Sequence, residues 1–344
     1  MDLLTSGPCR EKPPRLTRVA APTGSTWTLS GAVTGAGYLD LSDLVSFYIT
    51  HRLHINTPFP ALESYSTTTK VFRDSSSQDV KVHFFQEKGY LLIRNFLNDV
   101  ETERLQHWTQ EVHDLPRTPD ALYMPYEEVN SQGQRVLCRT ENYANSHAGF
   151  DSFLRGQRVL SVLGQLAAED MLLFKEKINY KLAGSGGFSP HIDANAYTHV
   201  KNIKHLTVLA AVDEMSSQNG GLDVVDGSHL MPIPLGSDRC IDPTWVNSHK
   251  WSACDLKPGD ILVFGSYLAH RSGANISSKD RRAIYATYNC KAEGDLHDQY
   301  YEDRRKLWPA THMRKDGEAY EEGRMRYGYG SPMLTIEGKA QVAA

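Results

Sequence analysis

One triplet in the chain, His191-Ile192-Asp193, places an imidazole and a carboxylate two residues apart. On an extended backbone such residues share a face about 6.6 Å apart along the strand, so both are able to reach one ion. The preceding Gly184-Ser185-Gly186-Gly187 turn and Pro190 permit an extended segment there. His270 is the best candidate for a third ligand, because it ends a strand expected over 260–268 and precedes a Ser-Gly turn. Two imidazoles and one carboxylate on one face of an octahedron leave three positions open, the arrangement used by non-haem Fe(II) oxygenases. The same ligands satisfy zinc, but a tetrahedral site leaves only one place for water. Eleven residues beyond His270, Arg281 stands at the mouth of the next expected strand, 283–289. A guanidinium there is shaped to take the far carboxylate of 2-oxoglutarate in a bidentate pair, with the Ser272 hydroxyl beside it. Strand alternation points the neighbouring Arg282 to the opposite face.

These side chains need a scaffold of strands. Strand-like runs are expected at 207–212, 223–225, 260–264 and 283–289, with turn clusters at 216–221, 226–228 and 257–260 between them. A further run, 171–182, places Lys175, Lys177, Asn179 and Lys181 on one face. Lys177 and Asn179 there either face the co-substrate or belong to a solvent-facing polar stripe. Upstream, 83–94 reads as a short helix, a stop at Gly89 and a strand. Asn98-Asp99-Val100-Glu101 caps a helix running to about residue 115, with acids in its first turn, and a second helix is expected at about 150–168. Many short strands with turn punctuation predict a mainly β fold with flanking helices, a jelly-roll sandwich or barrel whose helices come from the N-terminal half. Residues 1–35 read as a loosely ordered arm, 38–62 as a helix stopped by Pro58 and Pro60, and 64–79 as a polar linker. The expected organisation is a partly flexible N-terminal extension (1–79), a jelly-roll domain (80–292) and a charged, aromatic C-terminal extension (293–344).

The set of residues resembles the phytanoyl-CoA dioxygenase family of Fe(II)/2-oxoglutarate-dependent oxygenases. That family's motif is H-x-D, a distant His, a Ser two residues later and an Arg eleven residues after that His. His191, Asp193, His270, Ser272 and Arg281 stand at the corresponding places. The likeness extends to 85–96, similar to the family's opening helix, Gly and strand, and to Asp226-Gly227-Ser228-His229, similar to its G-S-H turn. It covers roughly residues 80–292. The stretch 174–181 resembles the branch that includes the 2-aminoethylphosphonate hydroxylases. Two positions depart from the pattern: Ile192 where the family usually has Gln, and Leu209 where some members place Trp. The resemblance implies a double-stranded β-helix (cupin-like) core in which His191, Asp193 and His270 hold Fe(II), Arg281, Ser272 and Lys177 hold 2-oxoglutarate, and O2 takes the last site. It implies oxidation of a C–H bond of a small organic metabolite, with release of succinate and CO2. An aminophosphonate, an acyl thioester and a secondary metabolite all stand as substrates.

Other histidines read differently. His229 is expected in a structural turn and His205 as a core histidine, while Tyr197 and His199 either line the pocket or belong to a loop. Asn275-Ile276-Ser277 matches a glycosylation acceptor but falls between two expected site residues. Composition removes several classes of function. With 40% apolar and 23% charged residues the chain is an ordinary globular protein, and Lys+Arg 37 against Asp+Glu 41 leaves a net charge of −4, with no basic field for nucleic acid or for steering an anionic substrate. The longest apolar stretch, 206–212, is far below the ~20 residues of a membrane span. Five scattered cysteines without a C-x-x-C pair argue for a reducing compartment, the cytoplasm, with Arg10, Arg15 and Arg18 leaving a mitochondrial address as the alternative. Two rival functions are a non-catalytic metal-binding jelly-roll sensor or scaffold, which has no need of the intact ligand set with Arg281, and a zinc hydrolase, for which there is no H-E-x-x-H run. The oligomeric state is left open.

Overall fold

The structure, a computed structural model, describes residues 18–21, 24–27, 75–130, 133–197 and 203–328. The chain forms two compact units, Met1–Ser66 and Thr67–Ala344. In the first, β1 (Arg18–Ala21) pairs antiparallel with β2 (Gly24–Trp27), so part of the arm expected to be loose is a hairpin. The helix expected at 38–62 lies outside the described residues.

The second unit opens with helix α1 (Ser75–Lys88), which begins inside the stretch read as polar linker. Gly89, at φ +83°, ends it in the left-handed region where only glycine is unstrained, and β3 (Tyr90–Ile93) follows as expected. Helix α2 (Asp99–His113) starts with a capping box: the Glu101 amide donates to Asn98 Oδ1 at 2.9 Å, and the Asn98 amide donates back to Glu101 Oε2 at 2.9 Å. Two strands without strong apolar alternation come next, β4 (Met124–Val129) and β5 (Arg135–Glu141). The single helix expected at about 150–168 is two, α3 (Ala148–Leu154) and α4 (Gln157–Ala167). They break at Gly156, where a Cβ would meet the Ser152 carbonyl oxygen at 2.3 Å.

The remaining strands are β6 (Met171–Lys181), β7 (Phe188–His191), β8 (Leu206–Ala211), β9 (Leu222–Val224), β10 (Ser252–Cys254), β11 (Ile261–Gly265), β12 (His270–Ser272) and β13 (Arg281–Cys290). They assemble into a seven-stranded sheet, β3-β11-β8-β13-β6-β5-β4, and a four-stranded sheet, β10-β9-β12-β7, with every pairing antiparallel. Alternation sorts the large sheet's two faces. Val208, Ala210, Ile284 and Ala286 pack outward with Leu105 and Val112 of α2 and Val159, Val162 and Leu163 of α4. Leu209, Ala211, Leu262, Phe264 and Ala283 pack inward with Leu222, Val224 and Cys254 of the small sheet. Because both faces of β8 are covered, all six of its residues are buried, which explains its unbroken apolar run. This is the jelly-roll expected from the strand pattern, with helices on the outer face. A C-terminal helix, α6 (His297–Leu307), preceded by a short α5 (Pro243–Ser248), packs on β6 from the segment whose fold the sequence does not disclose, and a helical turn (Glu321–Gly323) and a π-helix (Arg324–Gly328) follow it. Among the described residues no helix is long and apolar enough to cross a membrane.

Candidate metal centre

His191 is the last residue of β7 and His270 the first of β12, and the two are direct cross-strand partners. That register, absent from any local sequence signal, sets the two rings side by side with centroids 4.2 Å apart. His270 therefore begins a short strand of the small sheet; the strand expected to run to 268 stops at Gly265. After His191 the backbone stays extended at Ile192 (φ −119°, ψ 139°) and turns at Asp193 into a 3₁₀ turn. His191 Nε2 and His270 Nε2 each lie 3.8 Å from Asp193 Oδ1. One ligand atom from each of the three residues falls within 4.8 Å of the others.

The protonation pattern suits a metal. His191 Nδ1 lies 2.6 Å from the Ser189 carbonyl oxygen and His270 Nδ1 lies 3.0 Å from that of Leu268. A carbonyl only accepts, so each Nδ1 carries the proton and each Nε2 presents a lone pair toward Asp193. Burial, reinforced by the neighbouring His270, holds the His191 imidazole down to about 3, which keeps it neutral. Burial raises the Asp193 carboxyl, but His270, His191, Lys175 and Lys177 outweigh it and bring the group down to about 2, so it is ionised. Two neutral imidazoles and one carboxylate with no other strong partner form a donor set that fits a ferrous ion with open positions.

Two cavities meet at these residues. The smaller, about 470 Å³, is walled by His191, Asp193, His270, Ser272, Asn179 and Phe264 among others; the larger, about 710 Å³, shares His191 and Asp193 with it and adds Tyr197, Tyr300 and Arg304. Lys175, Lys177, Tyr285 and Thr287 line both. They project from β6 and β13, where Tyr285 pairs with Lys177 and Thr287 with Lys175. The lysine stripe thus faces the cavities, which decides between the two readings of Lys177 and Asn179 in favour of the interior. Lys177 sits 5.3 Å over the Tyr285 ring, and burial, then Arg139 and Lys175, bring its ammonium down to about 7.

Ser272 lines the smaller cavity, and its Oγ accepts from Lys181 Nζ at 2.9 Å. Arg281 lies one layer deeper than expected. It is 3% exposed and donates to the Gly220 carbonyl at 2.5 Å and to that of Asn219 at 3.4 Å, rather than standing in the wall of either cavity. Lys181, directly opposite in register, donates to the Gly220 and Gly273 carbonyls as well. Burial and the Arg281 charge bring its ammonium down to about 7. Among the described residues no carboxylate forms an ion pair with either cation. Two buried basic groups answered by carbonyls and by the hydroxyls of Ser272 and Tyr285, rather than by a carboxylate, fit the far carboxylate of a diacid. Lys181 lines neither cavity; the alternation of β6 puts it on the same face as Lys175 and Lys177 without revealing its partner across the register.

The larger cavity holds most of what the sequence did not show. Arg139 and Glu141 reach it from β5, Tyr300 and Arg304 from α6, and Arg326 and Tyr327 from the following segment. Glu141 is bound by Arg304 at 2.9 Å and Arg139 at 3.3 Å; burial raises its carboxyl, but Arg304 and Arg139 outweigh it and the net shift is downward. The Tyr300-x-x-x-Arg304 spacing on one helical face was the available signal. Tyr197 and Ile192 line this cavity, and His199 lies outside the described residues. His205 is 1% exposed and stacks on Tyr197, a core histidine, and His229 Nε2 donates to the Gln86 carbonyl in a turn. Arg282 forms a double hydrogen bond to Asp213 at 2.9 Å each, on the far face as alternation required. Leu209 is core, and Asn275 is fully buried with its Nδ2 on the Lys181 and Lys279 carbonyls, so it is no glycan acceptor.

Comparison with known proteins agrees with this arrangement. Residues 85–283 match the family described as phytanoyl-CoA dioxygenase (PhyH). The chain is 32% identical over 250 residues to a 2-aminoethylphosphonate dioxygenase of an uncultured bacterium, covering 72% of this chain and 95% of that one. It is 36% identical over 229 residues to a methylphosphonate hydroxylase of Gimesia maris, covering 66% and 86%. Among solved structures, EctD from S. alaskensis with 2-oxoglutarate and 5-hydroxyectoine superposes with a TM-score of 0.55 at 20% identity, covering 66% of this chain and 80% of that one. The epimerase SnoN in complex with Fe3+, alpha ketoglutarate and nogalamycin RO gives 0.54 at 19%, covering 62% and 84%. At that identity the likeness is one of fold.

Proposed function

The chain belongs to the phytanoyl-CoA dioxygenase family and is an Fe(II)- and 2-oxoglutarate-dependent dioxygenase of a small organic molecule, and we propose that this molecule is an organophosphonate oxidised at a C–H bond. The observation that carries the substrate class is the excess of cations around the larger cavity. Arg139, Lys175, Lys177, Arg239, Arg304 and Arg326 share its wall with the acids Glu141, Glu176 and Asp193. Glu141 is taken up by two arginines, Glu176 by His297 at 2.8 Å, and Asp193 by the metal. A phosphonate, which like a phosphate ester carries roughly −1.5 to −2 near neutrality, suits what is left. The names of two relatives, which act on phosphonates, support the same class. The scaffold and zinc-hydrolase readings find no support.

On this reading His191, Asp193 and His270 hold the iron, and Ser272 and Lys177 in the wall of the smaller cavity, with Arg281 and Lys181 in the layer behind them, hold 2-oxoglutarate. Bound together, the iron and co-substrate supply the oxidising power, with O2 consumed and succinate and CO2 released. The protein's own part is to aim Nε2 of both imidazoles at Asp193, to orient two anions in adjoining cavities, and to shield the reacting centre behind Tyr285, Phe264 and Tyr197. Catalysis asks for no separate protein base. The test is succinate release by the iron-loaded protein with methylphosphonate, 2-aminoethylphosphonate, ectoine or phytanoyl-CoA added in turn. A phosphonate is expected to accelerate release severalfold, and acceleration by ectoine or the acyl thioester instead overturns the assignment. We further propose the cytoplasm as the compartment, supported by the free thiols of Cys138, Cys240, Cys254 and Cys290; fractionation of cells carrying the tagged chain separates this from the mitochondrial alternative.

A further inference from the structure

Within the larger cavity the cations are not equivalent. Arg304 and Arg139 are bound to Glu141, and Lys177 lies over Tyr285 at the metal end. Among the described residues Lys175 and Arg326 form no ion pair. Lys175 stands 4.7 Å over the Tyr197 ring and 5.7 Å from that of Tyr300, while Arg326 stands 5.6 Å over Tyr327, whose ring meets Tyr300 edge-on at 5.8 Å. Two cations thus sit in a sleeve of three tyrosines, one carried by β6 and the other by the segment after α6. Aromatic faces stabilise a cation without neutralising it, so the pair keeps its charge for an anion. One carboxylate would leave a cation uncompensated, whereas a dianionic tetrahedral group answers both.

We propose that Lys175 and Arg326 grip the phosphonate headgroup of the substrate, and that the C-terminal segment is therefore the specificity element of this enzyme. The inference rests on the organophosphonate reading above. Residues matching the family end at 283, so Tyr300, Arg326 and Tyr327 lie beyond them. The clamp thus joins a cation of the shared domain, Lys175, to one supplied by chain beyond it, Arg326.

The experiment is calorimetric titration of methylphosphonate and 2-aminoethylphosphonate into the full-length, iron- and 2-oxoglutarate-loaded protein without oxygen. In Arg326→Gln and in Lys175→Met the phosphonate Kd is expected to rise about tenfold or more, as loss of a charged hydrogen bond implies. Arg326→Lys is expected to recover part of the loss, and in the Arg326 variants, whose side chain lies outside the smaller cavity, the KM for 2-oxoglutarate is expected to move less than twofold. The thermal midpoint of each variant guards against a folding defect, and the partial rescue by Lys is an effect that mere packing would not give. Unchanged phosphonate affinity in both variants, with the wild type binding, overturns the clamp and leaves the substrate class standing. A wild type that binds neither phosphonate removes the substrate class, and the clamp with it.

Discussion

The two sheets divide the work unequally. The small sheet contributes His191 and His270 from strands of four and three residues, β7 paired with β12 at two register positions and β12 with β9 at three, each ring fixed by a carbonyl two residues before it. The large sheet contributes Lys175, Lys177, Asn179, Lys181, Arg281, Tyr285 and Thr287 from two strands of eleven and ten residues that also form the middle of the core. A metal asks only that three neutral or singly charged donors meet at one point. Anions ask for cations kept out of water, and a buried cation must be answered somewhere in the fold. Function and stability are therefore separable on the small sheet and bound together on the large one.

The largest effect tests the first half of that contrast. Asp193→Ala is expected to reduce iron content and substrate-coupled succinate release to background while the unfolding midpoint holds, since Asp193 supports no core contact that its removal would empty. Metal analysis after anaerobic purification, with a thermal melt, checks both parts; a variant that loses iron only because it unfolds breaks the comparison. Next in size is Glu141→Ala on the large sheet. Arg304 is 3% exposed, and without Glu141 it would be a buried charge lacking its partner, so the expected cost is about 3–5 kcal/mol by urea denaturation. A cost under about 1 kcal/mol, the value of an exposed pair, would show the two sheets to be alike.

A smaller effect sharpens the division within the large sheet. Arg281→Lys keeps the charge but loses the fork that holds the Asn219 and Gly220 carbonyls, and its KM for 2-oxoglutarate is expected to rise by about tenfold to a hundredfold. Lys181→Met is expected to raise the same constant. If the first substitution is silent and the second is not, the deeper guanidinium is scaffolding for Lys181, and the co-substrate's anchor moves across the register from β13 to β6.

How far the sequence disclosed these two regions follows from the same physics. His191 and Asp193 are two residues apart, so their meeting is a local property of extended chain, and His270, Ser272 and Arg281 were picked out by their places at expected strand ends and turns and by resemblance to a known spacing. The face of Lys175 to Lys181 was readable from alternation, but alternation does not say which face looks inward. Strands β4 and β5 escaped notice because Glu127, Glu128, Arg135, Arg139 and Glu141 interrupt the apolar pattern. The C-terminal helix escaped because it is buried through Arg304, Tyr301 and His297 rather than through an apolar stripe, and buried ions look like surface in a sequence. A net charge of −4 likewise gave no hint of a cavity walled by six cations, because the acids that balance them lie elsewhere on the surface or in ion pairs.

The smallest effect asks whether that helix is held by charge at all. His297 on α6 is 2% exposed; its Nε2 lies 2.8 Å from Glu176 Oε2 on β6 and its Nδ1 3.0 Å from Asp298 Oδ1. With a carboxylate at each nitrogen both must donate, which is the protonated imidazolium. Burial lowers its proton affinity, but the Glu176 hydrogen bond and charge and the Asp298 hydrogen bond outweigh it, and the group titrates above its ordinary 6.5. A histidine whose folded value is raised gives stability that is complete below the unfolded value and is lost as pH rises through the folded one. The stability gap between wild type and His297→Gln, measured by urea denaturation, is therefore expected to be widest on the acid side of 6.5 and to narrow as the pH is raised. A gap that stays constant would mean that shape and a neutral hydrogen bond, which Gln retains, fasten the helix. A gap that widens with pH would mean the imidazole is buried neutral, and the only buried ion pair between the large sheet and α6 among the described residues would then be that of Arg304 and Glu141.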